Sequence, residues 1–280
     1  MKATTVHHYE NFPVASWLCP ARLRAPISAI YHFARTADDL ADEGTPSADQ
    51  RLRDLSDFRS DLHAVSQGLR PTAQWLSVFE PLAQVIAQWE LPIAPLHALL
   101  DAFEQDVRMT AAARRYQDDS ELIDYCAKSA NPIGRMLLHL YGVDDETSLS
   151  QSDHICTALQ LINFWQDLRL DLSRGRVYPS VQTMERFEVS LSALEPQSTS
   201  RGAAAMLRAY VDDARKRMLL GAPLAKHLRG RIGWELRAVV QGGLRIAQKI
   251  EQIQYATWQT RPILKALDWP PIFWRSLRMP

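Results

Sequence analysis

Two groups of oxygen-bearing side chains stand at spacings that could do chemistry. The first is Asp38-Asp39-Leu40-Ala41-Asp42-Glu43. On a helix, Asp38 and Asp42 are four residues apart and share a face, and Arg35, three residues before Asp38, lies on nearly the same face. Carboxylates at a helix C-terminus oppose the helix dipole, and stacked like charges repel. The cluster is therefore either a solvated helix end or a seat for a cation. In the second group Asn163, Asp167 and Asp171 recur at every fourth position and form one stripe. The run from Ile155 to Phe164 before it is almost wholly apolar and is expected to be buried. Acidic groups emerging from a buried helix need partners. Arg169 and Arg174 are near in sequence, enough for one carboxylate but strained for the whole stripe.

Two such stripes facing each other match the habits of Mg²⁺. That ion prefers oxygen ligands, keeps waters, and is held by a few carboxylates together with phosphate oxygens. Metals around one diphosphate would stabilise negative charge as a C–O bond breaks. An apolar remainder of the cavity would accept hydrocarbon chains and exclude water.

Helical periodicity dominates the elements that must position these groups. Leu23, Ile27, Ile30, Tyr31 and Ala34 recur at helical spacing and lead into the first cluster, and Gly44-Thr45-Pro46 stops that helix. Ser47 and Asp49 suit the cap of the next helix, through Leu52, Leu55 and Leu62. Leu69-Arg70-Pro71-Thr72 and Leu91-Pro92-Ile93 are further breaks, and later helices are expected over about 95–112, 119–142, 147–172, 199–221 and 224–257. No strand alternation stands out. Val177-Tyr178-Pro179 is extended at most, because a residue before proline is pushed out of the helical region. The stretch from Leu194 to Gly202 is the best loop candidate. Without a linker-like stretch, residues 1–280 read as one all-α domain.

Bulk composition excludes several classes. Lysine plus arginine equals aspartate plus glutamate, 32 against 32, so the basic excess of a nucleic-acid binder is missing. Hydrophobic residues make up 46%, enough for a substantial core. Cys19, Cys126 and Cys156 form no CxxC pair, which argues against a disulfide framework or a zinc site and suits a reducing, cytoplasmic setting. No signal-peptide pattern opens the chain and no apolar run approaches a membrane span, so contact with a membrane would be peripheral, at the inner surface. The segment Trp269-Pro270-Pro271-Ile272-Phe273-Trp274-Arg275-Ser276-Leu277-Arg278 mixes aromatic and basic residues, as lipid-interface segments do; it could equally pack Phe273 and Trp274 on the protein's own helices.

From about Tyr9 to about Arg261 the sequence resembles the squalene/phytoene synthase family. The pieces that carry the likeness are Pro20-x3-Arg24, Tyr31-x-Phe33-Ala34-Arg35-x2-Asp38-Asp39-x2-Asp42-Glu43, Arg115-Tyr116, Tyr125-Cys126, Gln160-x2-Asn163-x3-Asp167-x3-Asp171 and Arg174-Gly175-Arg176-Val177-Tyr178-Pro179. Any one is weak; all of them in order are specific. The resemblance implies an all-α prenyl-synthase (class I terpenoid synthase) fold with a central cavity and carbocation chemistry on an isoprenoid diphosphate substrate. It implies Mg²⁺ held by Asp38, Asp39, Asp42, Asn163, Asp167 and Asp171. It puts Tyr9, Asn11, Arg35, Gln160, Arg174, Arg176 and Tyr178 among the substrate- and diphosphate-binding groups, and Tyr31 and Tyr125 beside the reacting carbons, where rings could stabilise cations. Apart from the likeness, ordinary core packing would explain both tyrosines.

Departures from the family pattern narrow the expectation. The segments His8-Tyr9-Glu10-Asn11-Phe12-Pro13-Val14-Ala15-Ser16 and Ser129-Ala130-Asn131-Pro132-Ile133-Gly134-Arg135, with Gln166 before Asp167, resemble the bacterial hydroxysqualene synthases of hopanoid pathways. That branch takes presqualene diphosphate, releases diphosphate and quenches the cation with water. Asn131 replaces a small apolar wall residue and is a candidate for placing that water; alternatively it satisfies backbone broken by Pro132, where the helix should kink. Handover to neighbouring squalene-pathway enzymes would follow. A condensing enzyme of the same family, joining two prenyl diphosphates, and a non-catalytic scaffold of the same fold are the competing expectations.

Overall fold

The computed structural model describes residues 19–279, and among them there are helices and no strand. The first helix, α1 (Ala21–Asp42), carries the first acidic cluster on its last turns. It stops where expected: Glu43 is extended and Gly44 takes φ +74°, a left-handed turn that glycine adopts without strain. Ser47 caps α2 (Ala48–Ser66) by accepting the Gln50 N–H at 3.3 Å. From α2, Arg51 donates to the carbonyls of Leu40, Glu43 and Gly44 at 3.2, 3.0 and 3.1 Å, satisfying the end of α1 that would otherwise lack partners. The proline breaks then separate α3 (Leu76–Trp89) and α4 (Ala94–Ala111).

The helix expected over 119–142 is two helices, α5 (Asp119–Ser129) and α6 (Asn131–Tyr141), which part at Ala130. Pro132 lacks the N–H and clashes with the preceding turn, so the break replaces a mere kink. Next comes α7 (Glu146–Ser173), 28 residues long and capped by Asp145. Its buried residues lie on all sides, the mark of a helix at the centre of a core. Helices α5, α6, α9 and α11 pack around it. Small residues permit the approach: a Cβ on Gly134 would lie 2.3 Å from Ser152 Oγ, and one on Gly221 would lie 2.4 Å from the Gln151 carbonyl.

The remaining elements are α8 (Val181–Arg186), α9 (Arg201–Gly221), α10 (Leu224–His227), α11 (Gly230–Gln252) and α12 (Trp269–Arg278). The expected helix over 224–257 is thus interrupted before Gly230, whose φ of +69° is left-handed, and it ends at Gln252. Val177-Tyr178-Pro179 lies outside any helix, and residues 195–200 form a loop after a 3₁₀ turn.

The core forms two clusters. One surrounds α1 to α4, with Phe33, Phe58 and Phe79 in mutual ring contact at 4.6–5.9 Å between centroids. The other surrounds α7, where Trp165 stacks on Tyr210 at 4.1 Å. Tyr141 and Ile232 pack against both. Between α1 and α7 opens a cavity of about 740 Å³.

Candidate active site

The cavity brings most of the singled-out residues together. Tyr31, Arg35, Asp38 and Asp42 reach it from α1, Tyr125 from α5, and Gln160, Asn163, Asp167 and Asp171 from α7. Arg174, Arg176 and Tyr178 line it from the segment after α7. That segment returns to the cavity because Gly175 turns at φ +78° and the Arg176 N–H bonds the Asp171 carbonyl at 2.9 Å. It is then fastened by Asp119, which accepts from Ser180, Thr183 and Tyr210 at 2.7, 2.9 and 2.8 Å.

Two singled-out residues stand elsewhere. Asp39 is paired with Arg35 at 2.5 Å and is not among the residues lining the cavity. Asn131 is buried, and its amide oxygen accepts the Thr157 hydroxyl at 2.9 Å. Its side chain ties α6 to α7, and Ser129 is the residue of that stretch that lines the cavity. Tyr9 and Asn11 lie outside the described residues.

Arginines supply the compensation that the acidic clusters require. Arg35 pairs with Asp38 at 3.0 Å as well as with Asp39. Arg174 and Arg176 both pair with Asp42, at 2.8 and 2.6 Å, and so tie the segment after α7 to the first cluster while their charge also bears on Asp171. Arg169 turns away to the Gln259 carbonyl. Asp167 is held by Arg261, and Gln166 donates to the Pro262 carbonyl at 2.7 Å, so with Arg169 the chain after α11 is moored to α7 at three points.

Compensation is incomplete. Burial, with Asp167 close by, pushes the Asp171 carboxyl up to about 8, and burial pushes Asp38 up to about 6 despite Arg35. Among the described lining residues, Asp38, Asp42, Glu43, Asp106, Asp167 and Asp171 face only four arginines, Arg35, Arg174, Arg176 and Arg261. The cavity therefore has room in its charge balance for divalent cations. No three His, Cys, Asp or Glu side chains among the described residues converge into a ready-made metal cage. The donors that line the cavity, Asp38, Asp42, Asn163, Asp167 and Asp171, are oxygen groups of the kind Mg²⁺ takes together with phosphate oxygens and waters.

The wall beyond the carboxylates is aromatic and apolar. Tyr178 stacks on Phe164 at 3.7 Å between centroids, and Tyr125 lies 6.1 Å from Phe164 and 6.3 Å from Tyr178. Burial holds the Tyr125 and Tyr178 hydroxyls far above the usual tyrosine range, so both are neutral. The Tyr125 hydroxyl donates to Asp106 at 2.5 Å. Burial in turn raises the Asp106 carboxyl to about 6. Phe103, Leu159, Ile162 and Ile246 complete the apolar lining.

Asp106 and Arg261 are site residues that the sequence reading did not single out. Asp106 had a signal: it continues the buried stripe of Leu99 and Ala102 on α4, where a carboxylate is out of place. Arg261 had none, because its partner Asp167 is 94 residues away.

An all-helical shell around one cavity, with acidic clusters on two helices and an aromatic wall, defines the class I terpenoid synthase architecture. The sequence signature of squalene/phytoene synthases matches residues 5–268, and the chain belongs to the squalene/phytoene synthase family. A hydroxysqualene synthase from Rhodopseudomonas palustris is 31% identical over 255 residues, which cover 90% of this chain and 82% of that protein. A presqualene diphosphate synthase from Zymomonas mobilis is 28% identical over 181 residues, 65% of this chain and 60% of that one. Among solved structures, squalene synthase HpnC from Alicyclobacillus acidocaldarius superposes with a TM-score of 0.79 at 31% identity, covering 89% of this chain and 90% of that one.

Proposed function

We propose that this family member converts presqualene diphosphate and water to hydroxysqualene and diphosphate, with Mg²⁺, as a step towards squalene and hopanoids. The observation that carries the proposal is that one cavity is lined by Asp38 and Asp42 of α1, by Asn163, Asp167 and Asp171 of α7, and by an aromatic wall. The likeness to a hydroxysqualene synthase over 90% of the chain supports this choice of reaction. Asp38, Asp42, Asn163, Asp167 and Asp171 would hold the magnesium together with the substrate's phosphate oxygens. Bound there, magnesium would offset the charge that gathers on the leaving diphosphate.

The chain's own groups do the rest. Arg35, Arg174 and Arg176 bind phosphate oxygens as bidentate donors, exchanging a carboxylate partner for a phosphate one. The C–O bond breaks with its electron pair leaving on diphosphate, and the organic fragment is left as a cyclopropylcarbinyl-type cation. Rings of Tyr31, Tyr125, Phe164 and Tyr178 stabilise that cation without attacking it. Water adds to the cation, and the proton it sheds passes to the released diphosphate. The alcohol is then handed on to neighbouring squalene-pathway enzymes.

The test is to incubate the pure protein with presqualene diphosphate and Mg²⁺, without a nicotinamide, and identify the lipid product. Hydroxysqualene is expected. Formation of presqualene diphosphate or a phytoene-type hydrocarbon from prenyl diphosphates, with presqualene diphosphate left untouched, would assign a condensing reaction instead.

A further inference from the structure

The cavity makes no use of the C-terminal helix, although that helix is firmly built. Asp268, 2% exposed, accepts from Arg245 and Lys249 of α11, both at 2.7 Å, and from the Lys265 backbone N–H at 2.7 Å. Arg275 adds a hydrogen bond to Gln248 at 3.2 Å. Ile272, Ser276 and Met279 turn inward. The opposite face is apolar and open to water: Trp269, Phe273, Trp274 and Leu277 are 45%, 66%, 54% and 45% exposed, and Leu267 in the preceding turn is 87% exposed. A helix fixed by a buried ion-pair cluster cannot roll to hide these side chains.

Charge indicates what covers this face. Between Gln252 and the end of the chain Asp268 is the one acidic residue, and it is buried and paired. The cations Lys265, Arg275 and Arg278 are exposed around the apolar face, with the Arg278 guanidinium 4.0 Å from the Trp274 ring centroid. Protein interfaces have rims of mixed polarity with charges of both signs. Along the described residues 253–279 the aromatic face is accompanied by positive charge, Asp268 being buried and paired, and this matches an anionic bilayer: Trp and Phe seat at the headgroup level, and Lys and Arg meet the lipid phosphates.

We propose that α12, with Leu267, lies in the plane of an anionic lipid surface and docks the enzyme there. Helix α11 separates this face from the cavity: Gly243 and Ile246 line the cavity, while Arg245, Gln248 and Lys249 hold α12. The bilayer would then lie about one helix-packing distance beyond α11, roughly 10 Å. On the proposed function, a water-insoluble substrate and product would travel a short way; the docking itself involves no substrate.

Co-flotation of the full chain with phosphatidylcholine vesicles, with and without one-quarter phosphatidylglycerol, tests the proposal. The parent protein should float with the anionic vesicles and much less with the neutral ones, and added salt should weaken it. Phe273→Ser with Trp274→Ser should lower the bound-to-free ratio at least about ten-fold. Arg275→Gln and Arg278→Gln should each lower it about five-fold on anionic vesicles only. Unaltered circular dichroism and unaltered turnover of presqualene diphosphate in detergent certify each variant's fold. Parent protein that floats with neither vesicle, or a Phe273/Trp274 variant that floats like the parent, overturns the proposal. So does sedimentation without lipid that finds a parent dimer and a monomeric variant, since a second copy would then occupy the face. Flotation without any turnover of presqualene diphosphate would reject the proposed function and leave the docking standing.

Discussion

Asp106 and Tyr125 form the contact at the cavity wall whose disruption is most informative. The Asp106 carboxyl titrates near 6 in the folded protein, because burial disfavours its charge, and near 3.9 when unfolded. A raised carboxyl pKa means that the folded state holds the proton more tightly. Asp106 therefore lowers stability progressively as pH rises from about 4 to about 6, and the loss is complete above that. Asp106→Asn should melt no lower than the parent at pH 7.5, and its stability should fall less between pH 4 and 6, by roughly 2 kcal/mol. The same variant weakens the acceptor that orients the Tyr125 hydroxyl, so turnover should drop on the order of ten-fold. Asn131 calls for the opposite pattern. Asn131→Ala leaves the Thr157 hydroxyl without its acceptor and should cost about 1–2 kcal/mol in urea denaturation, with the product unchanged. Spacing made the position of Asp38, Asp42, Asn163, Asp167 and Asp171 legible, since repeats of four are read directly off a helix. It could not reveal that Asn131 faces α7, because only the orientation of α6 after the break at Ala130 decides that.

Helix ends written in glycine, proline and serine were readable, as at Gly44, Ser47 and Pro92. Interruptions inside long apolar stretches were less so. The sequence from Leu224 runs on through Leu228-Arg229-Gly230 without a proline, and what interrupts the helix is the extended backbone of Leu228 and Arg229 just before the left-handed Gly230, a conformation that composition alone does not announce. The last helix shows a subtler division. Packing on the protein's own helices and presentation to the outside were alternatives for one segment; the structure assigns them to different faces, Ile272 inward and Phe273 and Trp274 outward. Its anchor has a clear energetic consequence. Asp268→Ala leaves Arg245 and Lys249 partly buried without their acceptor and should destabilise the protein by about 3 kcal/mol. Limited proteolysis should then cut within residues 261–269, which the parent resists. Asp268 titrates near 2 when folded, depressed against its own burial by hydrogen bonds from Lys249, Lys265 and Arg245. Its stabilisation is present above about pH 4 and is lost as pH falls through about 2.

At the scale of the whole molecule, neutral net charge hides a segregated distribution. Acidic groups of α1, α4 and α7 converge on one cavity, and arginines from α1, from the segment after α7 and from the chain after α11 come to meet them. The all-α class, the central helix and the two clusters were legible because each follows from local periodicity. The arginine partners were not, since Asp42 meets Arg174 and Arg176 across more than a hundred residues and Asp167 meets Arg261 across 94. On the proposed function, those pairs would open to let an anion and divalent cations enter together, Arg174 and Arg176 passing from carboxylate to phosphate. The central claim is that both clusters act on one diphosphate. Its most direct test is Mg²⁺-dependent diphosphate release from presqualene diphosphate by the parent, Asp38→Ala and Asp167→Ala. Each single variant should lose at least about a hundred-fold in rate while keeping its helical circular dichroism, and chelation with EDTA should stop the parent. Near-normal release by either variant at saturating Mg²⁺ would contradict the account.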